Sequence, residues 1–192
     1  QVRRAHAAGR KYGVPVVVNQ VMYNLLDYNS TELREMEKAC NDLDVKIIAY
    51  SPIGQGLLTD SLTPEKLVKN RPAKMTGLTW DKLQPLRECI RSIAQAHDRS
   101  MAQVCINWCI QHNTIPLVGC RSVSQAQDTL GALGWELTES EVRDLDEVAL
   151  ARSTLESPTW RRALFVQLAG VFMVACSVCD NWLGRGMVEE AR

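Results

Sequence analysis

Apolar residues fall along the chain in two rhythms. VPVVVN (14–19), VKIIAY (45–50) and IPLV (115–118) are short, rich in β-branched residues and apolar on both faces. They are too brief for helices and predict strands of a buried parallel sheet. Between them, apolar positions recur every three or four residues. Leu33, Met36, Ala39, Cys40 and Leu43 make one such stripe behind a Ser30 N-cap, with acids in the first turn. Leu83, Leu86, Ile90, Ile93 and Ala94 make a second within 80–97, and Val104, Cys105 and Trp108 a third behind Ser100, running to about 112. Ser122 and Ser124 open a helix to about 132, and the capping box Thr138-Glu139-Ser140-Glu141 opens one to about 150. Residues 1–12 read as the end of a basic helix stopped by Gly13. The stretch holding Pro64, Pro72 and Gly77 reads as a loop.

The order strand, helix, strand, helices, strand, helix predicts an α/β fold of parallel βα units. Three strands either form a small open sheet or are the last part of a (β/α)8 barrel. In such a barrel, ligand-binding groups sit where strands end and loops begin. That rule singles out Asn19-Gln20, Tyr50-Ser51 and Gly119-Cys120-Arg121-Ser122.

Composition narrows the partners more than the fold. Lys plus Arg equals Asp plus Glu at 22 each, so nothing favours nucleic acid or an anionic membrane. An apolar content of 46% in 192 residues is enough for the packed core of one domain, or of a piece of a larger one. Of seven cysteines, Cys40, Cys89, Cys105, Cys109 and Cys120 lie in apolar segments and read as reduced thiols in a reducing compartment. Cys176 and Cys179 form a CxxC, but no second pair or histidine cluster completes a zinc site, so packing outweighs a redox role. The opening QVRRAHAAGRKYG has no initiator methionine and no signal-peptide pattern, and it reads as a start within a helix. The expectation is a fragment.

Each strand end has a plain reading beside a chemical one. The amides of Asn19 and Gln20 can cap the strand, or exchange a donor and an acceptor with a carboxamide. Tyr50 can fill a barrel core, or offer its flat face to a planar ring. Ser51, Ile53, Gly54 and Gln55 follow in a loop whose glycines let the backbone approach a ligand, although GQG lacks the lysine and spacing of a P-loop. In GCRSVSQAQDTL, Arg121 brings a forked cation, Ser122 sits at a helix start, and Gln125 and Asp128 lie one turn apart. That set is either a solvated helix start or a phosphate site. An amide, an aromatic plate and an anion clamp on one rim can hold a nicotinamide dinucleotide.

NQVMYNLL (19–26), IIAYSPIGQGLLTD (47–60), AQVCINWCI (102–110) and IPLVGCRSVSQAQDTLGALGWELTESEV (115–142) resemble the aldo-keto reductases, nearest the plant and algal, often plastid-type, branch. The resemblance runs from residue 1 to about 150. It implies an NADPH-dependent carbonyl reductase on a (β/α)8 barrel, of which this chain carries roughly the second half, in the chloroplast or the cytoplasm. It implies that Gln20 bonds the nicotinamide carboxamide and that Tyr50 stacks on the ring. Ser51, Pro52, Ile53 and Gln55 would line the pyrophosphate under a closing loop. Gly119, Cys120, Arg121, Ser122 and Gln125 would hold the side of the adenosine 2′-phosphate. Where the family has a Glu-Asn pair at the adenine, this chain has Asp128 and Thr129, a shorter acid and a hydroxyl.

The family's proton-donor tyrosine and its lysine, aspartate and histidine helpers match no residue here. Lys46, Tyr23, Tyr28, His97 and His112 occupy other kinds of position. No catalytic residue is therefore assigned, and the chain is expected to need the amino-terminal half of the barrel to act on a small carbonyl. The second reading is a non-catalytic NADP(H)-binding or sensor module. From 151 to 192 the resemblance fades into an atypical tail with an apolar helix at about 160–179. Its run ALFVQLAGVFMVACSV is shorter than the ~20 residues of a membrane span. It either docks on the outside of the barrel, the weightier reading, or meets a membrane through residues 161–182.

Overall fold

A computed structural model describes residues 1–151. The expected tail helix, its membrane contact and the Cys176–Cys179 pair lie outside the described residues. Helix α1 (Val2–Lys11) leads to β1 (Val18–Met22), α2 (Thr31–Asp42) and β2 (Lys46–Tyr50). A 3-10 turn (Gly54–Gly56) and two short helices, α3 (Pro64–Lys69) and α4 (Arg71–Thr76), follow. Then come α5 (Trp80–Ala96), α6 (Met101–Gln111), β3 (Thr114–Leu117), α7 (Val123–Leu130) and α8 (Glu139–Ala151). The three strands form one parallel sheet in the order β1-β2-β3.

The helices start where local chemistry says they should. Ser30, Ser100 and Ser122 each accept the backbone N–H of the third helical residue. At Ser100 the Gln103 side chain also reaches back to the cap N–H, and at Thr138 the Glu141 carboxylate does the same. These bonds satisfy donors that a helix start leaves open.

Three expectations are corrected. Residues 61–79 hold α3 and α4 rather than a loop. Proline is tolerated in a helix's first turn, where its missing N–H has no partner to lose. Pro64 sits there behind the Thr63 cap, Asn70 caps the next helix, and left-handed Gly77 ends it. The first strand is also displaced, covering Val18–Met22 rather than 14–19. A strand forms where it has a neighbour. β2 begins at Lys46, whose N–H bonds the Val17 carbonyl, and Pro15 has no N–H to give. Asn19 and Gln20 therefore lie inside β1, not at its end.

The sheet is also not buried on both faces. Val21, Ile47, Ala49 and Thr114 face the helices and are buried with Leu33, Cys40, Leu86, Ile90, Val104, Trp108 and Leu145. The other face carries Val18, Gln20, Ile115 and Leu117, all exposed, with Ile115 at 50% and Leu117 at 51%. A parallel sheet normally has cover on both sides. Here β1 and β3 each pair only with β2 among the described residues.

Candidate functional site

The parallel strands end on a common rim. Tyr50 closes β2 and pairs in register with Met22 on β1 and Leu117 on β3. The chain therefore leaves the sheet at Ser51 and at Val118 on the same side. Gln20 lies one pleat below, in register with Ile48, on the face that carries Tyr50. With strands ~4.8 Å apart and ~3.3 Å of rise per residue, the Gln20 and Tyr50 backbones sit roughly 8 Å from each other. One face and one rim thus collect Gln20, Tyr50, the 51–56 turn and the 119–122 turn.

The turn after Tyr50 is unusual in its backbone. Ser51 (φ 56°), Gly54 (φ 57°), Gln55 (φ 56°) and Gly56 (φ 88°) all take the left-handed region. For serine and glutamine that conformation costs about 1–2 kcal/mol each. Gly54 is buried, and a Cβ there would come within 2.5 Å of the Leu26 side chain. At Gly56 and Gly119 a Cβ would meet nothing within 4 Å, so both backbones face open space. Gln55 and Gly56 line a shallow, open surface pocket of about 280 Å³ with Ser61, Leu62, Lys66, Lys69 and Asn70. The sequence does not single out those last five; Lys66 and Lys69 lie on α3, which reads there as a loop.

The β3–α7 turn is tied to itself. The Arg121 N–H donates to Gln125 Oε1 at 2.8 Å, and Ser122 Oγ accepts the Gln125 N–H at 3.2 Å. Cys120 Sγ and Thr129 Oγ1 lie 3.6 Å apart. Arg121 itself is exposed. Asp128 Oδ1, by contrast, is engaged by α6. Ser100 Oγ and Gln103 Nε2 each donate to it at 3.1 Å.

The polar residues weighed as acids lie elsewhere. Lys46 is at the amino end of β2, its amine bonded to the Asn113 side chain and carbonyl. His97 meets Glu141 at 2.7 Å. Tyr23 donates to Glu37 at 2.6 Å. His112 sits between Glu37 (3.1 Å) and Asp146 (3.2 Å), with Trp108 and Tyr28 packed on its ring. Burial alone would lower the His112 pKa. Its bonds to the two carboxylates more than reverse that and hold it up at about 9. Burial, with Glu37 beside each ring, pushes both tyrosines far above the usual phenol range. Burial also raises the thiols of Cys40, Cys105 and Cys109, as inert core cysteines require.

Comparison with known proteins decides what this three-stranded unit is part of. The sequence profile described as the Aldo/keto reductase family matches residues 1–150. The chain belongs to the aldo/keto reductase family. It is 36% identical over 149 residues to the chloroplastic pyridoxal reductase of Arabidopsis thaliana, covering 78% of this chain and 40% of that protein. To probable aldo-keto reductase 1 of Glycine max it is 26% identical over 152 residues, covering 76% and 42%.

Solved structures agree on the fold. An aldo/keto reductase from Brucella melitensis superimposes with a TM-score of 0.52 at 19% identity, over 77% of this chain and 45% of that one. A Gox0644 variant crystallised with NADPH does so with a TM-score of 0.53 at 20% identity, over 77% and 44%. The chain spans less than half the length of these relatives. Three parallel strands with their helices are therefore part of an aldo/keto reductase (β/α)8 barrel. The bare sheet face corresponds to the inside of that barrel, and the rim to its carboxy-terminal mouth. No described helix is long and apolar enough to cross a membrane.

Proposed function

We propose that the chain forms the coenzyme-binding part of an NADPH-dependent oxidoreductase that reduces a small-molecule carbonyl to an alcohol. The observation that carries this reading is the turn Ser51–Gly56, with four left-handed backbone positions beside Tyr50 at the strand mouth of an aldo/keto reductase. Strain of that kind persists where a surrounding fold has a use for it. The open space at Gly56 and Gly119 fits a ligand that comes close to the backbone.

The bound coenzyme supplies a hydride to the carbonyl carbon. The chain's part is to hold and orient. Gln20 bonds the nicotinamide carboxamide and Tyr50 stacks on its ring. Ser51, Pro52, Ile53 and Gln55 line the pyrophosphate. Gly119, Cys120, Arg121, Ser122 and Gln125 take the 2′-phosphate. Asp128 and Thr129 lie nearest the adenine, where Asp128 has only the acceptor capacity that Ser100 and Gln103 leave over. The proton for the alcohol oxygen comes from the amino-terminal half of the barrel, which pairs with the edges of β1 and β3 and covers their open face. The working compartment is a reducing one, chloroplast or cytoplasm. The buried free thiols and the chloroplastic relative support that assignment.

Titration with NADPH, read by coenzyme fluorescence, tests the reading. Arg121→Ala should weaken NADPH at least tenfold and NADH by less than threefold, because the guanidinium answers a phosphate that NADH lacks. Equal weakening of the two would refute its role. A chain with no affinity for either coenzyme would refute the reading as a whole.

A further inference from the structure

One cation in the core is unlike the rest. Arg87 on α5 is 1% exposed, and no carboxylate forms an ion pair with it among the described residues. Burying a guanidinium without an anion is costly unless its donors are answered. Its two terminal nitrogens are answered by one segment of backbone, and the charge of Asp60 in that same segment also favours the cation. Nη1 donates to the carbonyls of Leu57 and Thr59, at 2.9 Å each, and Nη2 to that of Leu62 at 3.5 Å. Nε has no described partner. The Trp80 ring lies 5.4 Å from the guanidinium carbon.

The segment held this way is the far leg of the coenzyme loop. It runs directly on from Gly54–Gly56 and is fastened a second time from below, where the Met101 N–H donates to Asp60 at 2.9 Å. Leu57, Leu58 and Leu62 are buried. The near leg contains the left-handed positions Ser51, Gly54, Gln55 and Gly56. The two legs meet at the cavity, where Gln55 and Gly56 face Ser61 and Leu62 beside Lys66 and Lys69.

We propose that Arg87 is the positioning residue of this loop: it holds Leu57–Leu62 in one conformation, so that only Ser51–Gly56 moves as the diphosphate enters the cavity. The inference rests on the coenzyme reading above and deepens it. Arg87 touches no ligand. It acts through three carbonyls, and its planar fork reaches them in a way that a lysine's single ammonium cannot.

The test uses the full chain and the variants Arg87→Lys, Arg87→Met and, as a core control on the same helix, Leu86→Ala. Two readouts are taken: NADPH affinity, and the rate at which trypsin cuts after Lys66 and Lys69 without coenzyme. Arg87→Lys should fold, bind NADPH at least fivefold more weakly and be cut at least fivefold faster. Arg87→Met should show the same changes, larger, if it folds. Leu86→Ala should melt earlier with affinity and cutting rate held within twofold, since a merely structural defect does not select the loop. Wild-type affinity and cutting in Arg87→Lys overturns the proposal, as does a Leu86→Ala variant that reproduces the Arg87→Lys pattern. A wild-type chain that does not bind NADPH overturns the coenzyme reading instead. The proteolysis arm then still decides whether Arg87 holds the loop.

Discussion

The surroundings of His112 and the turn Ser51–Gly56 are built on opposite terms. Around His112 polar groups answer one another. Both imidazole nitrogens meet carboxylates, Tyr23 bonds Glu37, and the Trp108 indole N–H donates to Asp146 at 2.8 Å. The side chains come from α2, α6, α8 and the residues after β1, so the network locks the helical layer to the sheet. At the turn, strain replaces satisfaction. Its backbone bends through left-handed positions, two of them non-glycine, and Gln55 is exposed. Clustered titratable groups with displaced pKa values often mark active sites, but structural networks displace them too. In this chain the cluster ties core elements together, and the strained, titration-poor turn is where the proposed coenzyme site lies.

The largest expected effect lies in the network. His112→Ala leaves the half-buried Glu37 and Asp146 without their cation, and should cost about 3–5 kcal/mol in a urea unfolding curve. A loss below about 1 kcal/mol would mean that the network holds nothing together.

The pH dependence comes next. The His112 pKa rises from 6.5 in the unfolded chain to about 9 in the fold, so folding favours its protonated form. Its contribution is full below about pH 6.5 and disappears as the pH climbs through 9. The amount is roughly 3 kcal/mol. Unfolding curves at pH 6, 7.5 and 9 should show that decline in the wild type and a flatter profile in His112→Gln. A wild type equally stable across the range would sink this account.

The turn should respond less, and in a way that separates stability from binding. Gly54→Ala places a Cβ at a left-handed position against Leu26, and should cost about 1–2 kcal/mol. Gln55→Gly removes strain and should raise stability by up to ~1 kcal/mol while weakening NADPH. If Gln55→Gly gains stability and keeps full affinity, the strain has no part in binding. The smallest effect belongs to the β3–α7 turn. Ser122→Ala removes an N-cap and should cost ~1 kcal/mol or less in thermal unfolding, since α7 buries none of its residues.

Legibility followed the range of the cause. The caps at Ser30, Ser100, Ser122 and Thr138 could be read because each acts over three residues. Tyr50 and Gly119–Arg121 could be read as rim residues because a strand's end is marked locally by glycine, serine and proline. Pro64 and Pro72 misled because proline punctuates loops and also opens helices, and only the Thr63 and Asn70 side-chain bonds separate the two. Gln20 reads from the sequence as following the first strand but lies inside β1, since β1 takes its limits from β2.

Arg87 was invisible as a core residue. Its partners lie 25 to 30 positions earlier in the chain, and nothing near it in sequence announces them. The order of the three strands and the longer helices, the family, and Tyr50 and Gly119–Arg121 as rim residues follow from the sequence by itself, because periodicity, capping and short motifs are local physics. The bare sheet face, the pairing of His112 and the bonds from Arg87 to the 57–62 segment were decided only in three dimensions, because burial and long-range hydrogen bonds depend on which distant segments meet.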